Sequence, residues 1–308
     1  MSALVTGGAG FIGSHVVDAL VARGGRVSVI DDFSTGRQEN LEGALEAGAH
    51  LYEADIRDAE AVWPIVAHER PDAIFHLAAQ IDVRRSVASP ALDARVNVEG
   101  TINLLEAARQ AEVGRFVYAS TGGAIYGEAE LVPTPEDAAA APMSPYGQGK
   151  LAAEGYCSLF ERLAGLSAAS LRFANVYGPR QDPLGEGGVI AIFCGRAASG
   201  GSATVFGDGH QTRDFVYVSD VVDALLAAAD TDVRGAFNVG TGRETSVLEL
   251  AVALREVSGA QLPVELAPAR AGEVVRSCLN ASLARELLGW RAQVGLTEGL
   301  RRTLQSAG

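Results

Sequence analysis

The chain begins with a short apolar run that passes directly into a glycine-rich turn. Ala3-Leu4-Val5 is typical of a buried strand, residues 6–13 (Thr-Gly-Gly-Ala-Gly-Phe-Ile-Gly) follow it, and the next residues have helical apolar spacing to about position 23. Glycines at this spacing allow a tight turn, close approach of the backbone to a diphosphate, and close packing of helix on strand. The helix N-terminus would add N–H donors and a partial positive charge. The turn therefore predicts a dinucleotide-binding β-α-β unit.

Strand-like and helical stretches alternate along the first half of the chain. Strands are predicted over 26–30, 50–54, 73–77, 115–119 and 168–173, and an amphipathic helix is predicted over 93–110. This alternation predicts an α/β fold, a Rossmann-type doubly wound parallel sheet. After about residue 176 the alternation loosens, with helices predicted over 219–229 and 246–257. We expect a cofactor-binding domain over 1–176, to which part of 215–240 returns, and a smaller, loop-rich substrate-binding domain over 177–308.

Composition excludes several classes of function. The 308 residues carry a formal net charge of -13, which disfavours nucleic acid and anionic membrane as partners. The isolated cysteines Cys157, Cys194 and Cys278 are expected to be free thiols in a reducing compartment, with no metal site. No apolar run approaches the roughly 18 residues of a membrane span, and no signal peptide is visible. We expect a cytoplasmic protein.

Tyr146 and Lys150 form a candidate acid/base pair. Positions i and i+4 share one face of a helix, and Pro145 suits the first turn of such a helix. A phenol ionises near pH 10 in water, and a neighbouring cation lowers its pKa. The spacing therefore indicates a tuned general acid/base. A Tyr-x-x-x-Lys pair on a solvated helix face also arises by chance, so the hypothesis depends on the other motifs.

Asp31 ends the second predicted strand, 18 residues after Gly13. An acidic side chain at this place bonds the ribose hydroxyls of a dinucleotide and repels a 2′-phosphate. The cofactor is therefore expected to be NAD rather than NADP. The alternatives are that Asp31 is an ordinary cap of the strand end, and that nearby Arg37 accommodates NADP.

Several motifs together resemble a known family. In chain order they are the turn at 6–13, Asp-Ile-Arg-Asp at 55–58, His-Leu-Ala-Ala-Gln at 76–80, Asn97, Ala-Ser-Thr at 119–121, Tyr146 with Lys150, Arg-Phe-Ala-Asn-Val-Tyr-Gly-Pro-Arg at 172–180, Arg-Asp-Phe-Val-Tyr-Val at 213–218 and Asn-Val-Gly at 238–240. The chain resembles, nearly end to end, the extended short-chain dehydrogenases/reductases, and among them the nucleotide-sugar epimerases of the UDP-glucose 4-epimerase type.

The resemblance implies a tightly bound NAD and a set of residues around it. In this family Lys150 bonds the nicotinamide ribose and lowers the pKa of Tyr146. The implied cofactor-binding residues are Gly7, Gly10, Phe11, Ile12, Gly13, Asp31, Asp32, Ser34, Thr35, Gly36, Asp55, Ile56, Leu77, Ala78, Ala79, Gln80, Asn97, Ala119, Tyr146, Lys150 and Phe173.

The third catalytic group implied by the resemblance is a hydroxyl after the fifth strand. Counted forward from the strand Phe116-Val117-Tyr118, the position is Thr121, whereas counted back from Tyr126-Gly127 it is Gly122. Strand register is the safer anchor, so we expect Thr121, with Ser120 as the alternative. Thr121 could also simply satisfy a loop backbone group, as threonines often do.

The resemblance also implies substrate contacts in the second half of the chain. Arginines suit a diphosphate because the planar guanidinium bonds two oxygens at once; ordinary surface ion pairs are the alternative. The implied substrate-binding residues are Thr121, Tyr146, Asn175, Gly188, Val189, Val205, Phe206, Arg213, Arg270, Glu273 and Ser277.

The expected reaction is 4-epimerisation of a UDP-hexose through a 4-keto sugar. The 4,6-dehydratases of the family carry Asp-Glu after the catalytic threonine and the decarboxylases a glutamate in that loop, where this chain has Gly122-Gly123. UDP-glucose and UDP-galactose are the first expected substrates. The small Ser277 also allows UDP-GlcNAc, and UDP-glucuronate is a further alternative. The alternative is a non-catalytic NAD-binding protein, in which we would expect the tyrosine or the lysine of the pair to be replaced. A homodimer through residues 93–110 and the helix of Tyr146 is the family expectation.

Overall fold

The computed structural model describes residues 1–183, 188–269 and 274–306, so Arg270 and Glu273 lie outside the described residues. The strands are β1 Ser2–Thr6, β2 Arg26–Asp31, β3 His50–Glu53, β4 Ala73–His76, β5 Arg115–Thr121, β6 Ser167–Phe173, β7 Asn175–Tyr177, β8 Ala203–Phe206, β9 Thr212–Arg213, β10 Phe215–Tyr217, β11 Gly235–Val239, β12 Thr245–Ser246, β13 Val264–Ala267 and β14 Arg276–Ser277.

The helices lie between these strands and after them. They are α1 Phe11–Ala22, α2 Glu42–Glu46, α3 Ala59–Glu69, α4 Val83–Ala88, α5 Pro90–Ala94, α6 Gly100–Gln110, α7 Gly122–Ile125, α8 Pro145–Ala164, α9 Val189–Ala198, α10 Val218–Ala229, α11 Val247–Ser258, α12 Ser282–Leu287 and α13 Leu296–Ser306. A 3₁₀ turn at Gln38–Leu41 precedes α2, and a π-helical turn at Arg95–Glu99 joins α5 to α6.

Seven strands form one parallel sheet in the order β11-β6-β5-β4-β1-β2-β3. The predicted fold class, a Rossmann-type doubly wound sheet, is confirmed. From β1 the chain proceeds to β2 and β3 on one side and then crosses to β4, β5, β6 and β11 on the other. Ligands of such sheets bind at this reversal, beyond the carboxyl ends of the strands. The order therefore places the ligand site beyond the ends of β1 and β4.

The sheet is buried on both faces. One core contains Val5, Val117 and Phe237 together with residues of α1 and α10, and the other contains Ile74, Phe116 and residues of α3, α6 and α8. Because both faces are covered, the strands are continuous apolar runs, which is why they are readable in the sequence. A third core, around α9, α11 and β8, belongs to the second half of the chain.

The second half contributes to the large sheet as well as to its own small sheets. Strand β11 pairs with β6, and α10 packs on α1. The remaining strands form the short pairs β7–β10 and β8–β13 and a three-stranded group in the order β12-β9-β14. These small sheets and helix α9 were not predicted from apolar periodicity. The strands of two or three residues are too short to show a period.

The predicted helix over 93–110 is part of a longer helical run. It starts at Pro90 and contains the π-helical turn, at which Asn97 is buried. Helix α8 begins as expected: the Ser144 hydroxyl accepts a hydrogen bond from the Gly147 N–H at 3.1 Å, and Pro145 occupies the first turn. No helix in the described ranges is both long and apolar enough to cross a membrane.

Candidate functional site

A cleft of about 200 Å³ lies at the reversal point of the sheet. It runs from the glycine turn after β1 to the start of α8. Of the predicted cofactor-binding residues, Gln80 and Asn97 are not part of its lining; those that line it are Gly7, Gly10, Phe11, Ile12, Gly13, Asp31, Asp32, Ser34, Thr35, Gly36, Asp55, Ile56, Leu77, Ala78, Ala79, Ala119, Tyr146, Lys150 and Phe173. Residues that are far apart in the sequence therefore meet in one place.

The glycine turn needs its glycines for close packing. Gly7 has φ 69°, and a Cβ there would lie 2.6 Å from the Ala78 nitrogen. A Cβ on Gly13 would lie 2.1 Å from the Gly7 carbonyl oxygen. Larger residues would separate α1 from β1 and β4. The first turn of α1 holds no acidic residue, so its free N–H groups offer a site for a diphosphate.

Asp31 is fixed at the end of β2 with its carboxylate in the cleft. Its Oδ2 accepts a hydrogen bond from the Ala9 N–H at 2.8 Å, and its Oδ1 accepts one from the Phe33 N–H at 2.9 Å. Burial raises the pKa of Asp31, and these two hydrogen bonds oppose the rise. A Cβ on Gly36 would lie 2.7 Å from Oδ1, so the glycine leaves room beside the carboxylate. This arrangement suits a ribose diol.

Tyr146 lies in the first turn of α8, at the opposite end of the cleft from Asp31. The residue is half-buried, and its hydroxyl is surrounded by protein. Burial raises the pKa of Tyr146 to about 12, and a hydrogen bond with the Thr121 side chain opposes that rise. The expected lowering by Lys150 is therefore not what the chain alone produces. Without a further positive charge, Tyr146 is a neutral phenol at pH 7.

Lys150 is buried one turn further along α8. Its Nζ donates a hydrogen bond to the Ala119 carbonyl at 2.8 Å and lies 4.9 Å from the centre of the Tyr118 ring. Burial lowers the pKa of Lys150 to about 8, and the charge of Asp93 opposes that fall. The ammonium is thus held at the end of β5, inside the cleft, with hydrogen-bonding capacity to spare.

The two hydroxyls at the end of β5 have different partners. Ser120 Oγ donates to Glu154 Oε1 at 2.5 Å, and Glu154 is also paired with Arg172, whose Nη2 lies 2.7 Å from Oε2. Arg172 further donates to the Tyr126 hydroxyl at 2.8 Å. This buried network ties α8 to β5 and β6. The sequence analysis did not identify it, although glutamate four residues after Lys150 on a helix was a visible signal.

His76 forms a second network that the sequence analysis missed. The Thr101 hydroxyl donates to the Asn97 carbonyl at 2.8 Å, so His76 Nε2, 2.9 Å from Thr101 Oγ1, must carry the proton and donate. His76 Nδ1 then accepts from Thr6 Oγ1 at 2.7 Å. Burial, followed by the charge of Lys150, lowers the pKa of His76 to about 3. His76 is therefore a neutral connection between β1, β4 and α6, not an acid/base.

Gln80 and Asn97 hold the loop after β4. Asn97 Oδ1 accepts from the Gln80 N–H at 2.9 Å, and Asn97 Nδ2 donates to the Gln80 carbonyl at 2.9 Å. The Gln80 side chain donates to Asp93 and accepts from the Asp82 N–H. The two residues thus support the cleft from behind.

The predicted substrate-binding residues are only partly brought together. A Cβ on Gly123 would lie 3.9 Å from Asn175 Oδ1 and 4.0 Å from Thr121 Oγ1, so these two side chains face the same small space. Ser277 on β14 pairs with Arg213 on β9. The side chain of Val205 is buried in the third core.

The remaining members of this set lie apart. Gly188 and Val189 start α9, and Phe206 ends β8. Among the described residues, none of Asn175, Gly188, Val189, Val205, Phe206, Arg213 and Ser277 lines the cleft. Segments 184–187 and 270–273, which adjoin this region in sequence, lie outside the described part of the chain.

A second cavity, of about 340 Å³, opens beside the first and shares part of its lining. Four arginines line it: Arg37, Arg57, Arg85 and Arg180. Arg57 pairs with Asp55, and Arg180 pairs with Asp18 at 2.8 Å. Apart from Arg37, these arginines were not assigned to the site, because nothing local in the sequence indicates that they converge. Arg37 also pairs with Asp182 at 3.4 Å, and Asp32 and Asp82 line the same cavity, so acidic and basic side chains alternate there.

Known proteins share both sequence and fold. The profile of the NAD dependent epimerase/dehydratase family matches residues 3–240. A UDP-glucose 4-epimerase of Mycolicibacterium smegmatis is 48% identical over 307 residues, 99% of this chain and 98% of that protein. The solved UDP-glucose 4-epimerase of Thermotoga maritima with UDP-glucose has a TM-score of 0.96 and 47% identity, covering 99% and 98% of the two chains. That of Thermus thermophilus with NAD has a TM-score of 0.94 and 44% identity, covering 100% and 99%.

Proposed function

Because this chain belongs to the NAD-dependent epimerase/dehydratase family, we propose that it interconverts the C4 epimers of a UDP-hexose, with UDP-glucose and UDP-galactose as the first pair. The observation that carries the proposal is the position of Tyr146. Its buried hydroxyl lies at one end of the nucleotide cleft, bonded to Thr121 and one turn from Lys150. Relatives at 44–48% identity that match over nearly the whole chain and are named UDP-glucose 4-epimerases support the same reaction.

The cleft fits NAD. Gly7 and Gly13 bring the backbone close, α1 offers N–H groups to a diphosphate, and Asp31 presents a carboxylate where the adenosine ribose would lie. That carboxylate disfavours a 2′-phosphate. Lys150 would bond the nicotinamide ribose. When bound, oxidised NAD supplies a hydride acceptor and a positive charge, the charge that Tyr146 needs to ionise near neutral pH.

In the first half of the reaction, phenolate Tyr146 takes the proton of the sugar C4 hydroxyl while the C4 hydride passes to NAD, leaving a 4-keto sugar. The keto sugar turns over and regains the hydride on its opposite face, and Tyr146 returns the proton to O4. The proton and the hydride that leave the sugar both return to it, so the reaction needs no further reactant. Thr121 stabilises the phenolate, and Ser120 is unsuited to this role because its hydroxyl already donates to Glu154.

The nucleotide half of the substrate is assigned to the second half of the chain. Arg213 and Arg270 would bind the diphosphate, Asn175 would bond the diphosphate or the sugar, and the amides at Gly188 and Val189 would approach a phosphate. Val205 and Phe206 would adjoin the uracil and Glu273 the ribose. Binding through the nucleotide leaves the sugar free to present both faces.

The glycines after Thr121 oppose other fates of the keto sugar. Gly122 faces Leu279, whose Cδ1 would lie 2.5 Å from a Cβ at that position, and Gly123 borders Asn175 and Thr121. Neither position supplies an acid or base. Loss of water or carbon dioxide from the keto sugar requires proton transfers that Gly122 and Gly123 cannot provide.

The test is product analysis after incubation of the holoenzyme with UDP-glucose. We expect UDP-galactose, and Tyr146→Phe should lower kcat by about 10³-fold or more with NAD still bound. Tyr156→Phe, on the same helix but outside the cleft lining, is the matched control and should retain activity. Reduction of NAD by the sugar without epimerisation would contradict the proposal.

A second candidate substrate pair is UDP-GlcNAc and UDP-GalNAc. The resemblance places Ser277 beside the sugar C2 substituent, and serine leaves room for an N-acetyl group. UDP-glucuronate is the third sugar to include in the assay, because Arg270 lies outside the described residues and its contacts with a carboxylate are not defined. Relative kcat/KM values for the three sugars would rank them.

We also propose a cytoplasmic homodimer. Leu151, Tyr156, Leu159 and Phe160 of α8 are each half-buried within the single chain, which leaves part of their apolar surface for a partner. The cysteines Cys157, Cys194 and Cys278 are buried free thiols, which suits a reducing compartment. Analytical ultracentrifugation tests the assembly, and a monomer at micromolar concentration would contradict it.

A further inference from the structure

Asp93 is a buried carboxylate behind the Tyr146–Lys150 pair. It is 1% exposed and lies on α5, which packs against α8. Its Oδ1 accepts hydrogen bonds from Gln80 Nε2 at 2.8 Å and from Asn97 Nδ2 at 3.1 Å. Its Oδ2 is buried with no hydrogen-bond partner among the described residues. An unsatisfied oxygen on a buried carboxylate is costly, and its presence next to the catalytic helix points to an electrostatic role.

The unpartnered oxygen points at the catalytic helix. A Cβ on Gly149 would lie 3.0 Å from Asp93 Oδ2, so only a glycine lets α8 approach this carboxylate without displacement. Gly149 immediately precedes Lys150 and is three residues from Tyr146. The charge of Asp93 acts on both: it favours the protonated form of Lys150 and of Tyr146.

The charges around Lys150 leave Asp93 as its counter-ion. The groups that face Lys150 come from α8, β4, β5 and α5; they are Tyr146, Glu154, Cys157, His76, Tyr118 and Asp93. His76 and Cys157 are neutral at pH 7, because burial lowers the pKa of the first to about 3 and raises that of the second to about 12. Burial also raises the pKa of the Tyr118 phenol.

Glu154 is neutralised by Arg172, which binds both of its oxygens at 2.7–3.2 Å. Asp93 has no ion pair within the described ranges, so its charge is not compensated locally by any group except Lys150.

We propose that Asp93 is the positioning residue that keeps the buried Lys150 ammonium charged and in place beside Tyr146 in the epimerase reaction. The inference deepens the proposed function and rests on it only for the role of Tyr146. Gln80 and Asn97 donate hydrogen bonds to Oδ1 of Asp93. Oδ2 has no such donor among the described residues, so its negative charge acts on Lys150 electrostatically. Asp93 touches neither sugar nor cofactor in this assignment.

The test exploits a property of the sequence: Lys150 is the only lysine in the chain. Lysine labelled with 13C at Cε therefore gives one NMR resonance, whose pH dependence reports the pKa of Lys150 directly. In Asp93→Asn holoenzyme the side-chain oxygen still accepts from Gln80 and Asn97, but the charge is gone. We expect the titration midpoint of Lys150 to fall by roughly one unit, and both limbs of the kcat–pH profile to move to lower pH.

The control is Glu106→Gln, which removes a half-buried carboxylate of α6 that pairs with Arg109 at 2.8 Å. It should leave the Lys150 midpoint unchanged. If Asp93→Asn does not accumulate as folded protein, Asp93→Ser, which leaves room for water, is titrated by the same criteria. An unchanged Lys150 midpoint in the Asp93 variant would make Asp93 only a tether of the loop and overturn the inference. Absence of epimerisation by the wild type would overturn the proposed function and leave the titration interpretable.

Discussion

Two adjacent hydroxyls at the end of β5 perform different tasks. Ser120 lines the cleft but donates its hydroxyl to Glu154, which holds α8 to the sheet, whereas Thr121 lies outside the cleft lining and hydrogen-bonds Tyr146. Successive side chains of a strand point to opposite faces, so one residue can serve the scaffold while the next serves the reaction. The division explains why both hydroxyls occur together and why only one is expected to act in catalysis.

Thr121→Val should slow the reaction without unfolding the protein. The substitution keeps the shape and removes the hydrogen bond that favours the Tyr146 phenolate, so the pKa of Tyr146 rises. Because the phenolate is the reactive form, the acid limb of the kcat–pH profile should move to higher pH. At pH 7 we expect kcat to fall by about 10- to 100-fold. A profile unchanged in position would assign the hydroxyl's role elsewhere.

Ser120→Ala should lower stability while leaving activity nearly unchanged. Removing its hydroxyl leaves a Glu154 oxygen with one donor fewer, which costs about 1–3 kcal/mol in the free energy of unfolding. Activity at 25 °C should stay within a few-fold of wild type, as steady-state assays and urea titrations would show. A large loss of kcat with stability intact would instead identify Ser120 as the catalytic hydroxyl.

At the scale of elements, helix α8 is placed by contacts of its glycines. Gly147 lies against the Ala124 carbonyl oxygen, 2.4 Å from where a Cβ would be, and Gly149 lies against Asp93. Gly155, two turns further on, has nothing within 4 Å of a Cβ and is exposed. The N-terminal half of α8 is therefore packed for position at some cost in helix propensity.

Gly147→Ala should reduce activity by displacing the start of α8. The backbone at Ala124 must move to admit the methyl group, and Tyr146 moves with the helix, which disturbs the hydrogen bond to Thr121. We expect kcat to fall by about 10-fold or more. Gly155→Ala is the matched control on the same helix: it should raise stability by about 1 kcal/mol and leave kcat unchanged. Thermal melts and steady-state kinetics of both variants measure this, and equal activity of the two would refute it.

At the scale of the whole molecule, the division of the chain into two domains is not a cut at one residue. β11, the last strand of the large sheet, comes from residues 235–239, and Val221 and Leu225 of α10 pack in the same core as Val117. The chain thus leaves the large sheet after β6, forms part of the small sheets, and returns to the large sheet at β11. The proposed domain boundary near residue 176 therefore has to include this returning segment.

The fragment 1–176 should therefore fail to fold on its own. Without β11 and α10, β6 becomes an unpaired edge and one face of the sheet loses its cover, exposing Val117 and Leu171 to water. We expect a fragment that aggregates or lacks fixed tertiary structure by NMR and does not retain NAD. Co-expression with residues 177–308 is the control that should restore soluble, NAD-containing protein. A monomeric, well-folded 1–176 fragment would contradict the interdependence of the two parts.

Much of the site could be predicted from the sequence because its motifs are local. The glycine turn, Asp31 at a strand end, and Tyr146 with Lys150 are each recognisable within a few residues of sequence. The strands of the large sheet are recognisable because burial on both faces makes them apolar runs. The groups that set the charge of the site were not predictable in this way. Glu154, Arg172 and Asp93 lie on different elements, and only packing decides which of them is paired.

The sequence by itself thus determined the fold class, the cofactor turn and the candidate acid/base, since each depends on residue types at short spacing. Only the tertiary structure decided that Ser120 bonds Glu154 while Thr121 bonds Tyr146, and that the Tyr146 phenol is neutral in the chain alone. It also decided that Glu154 is paired with Arg172, whereas Oδ2 of Asp93 has no hydrogen-bond partner among the described residues. The physical reason is that a pKa value depends on burial and on the charges that lie nearby in space. Folding brings these charges together from positions whose separation in the sequence follows no fixed rule.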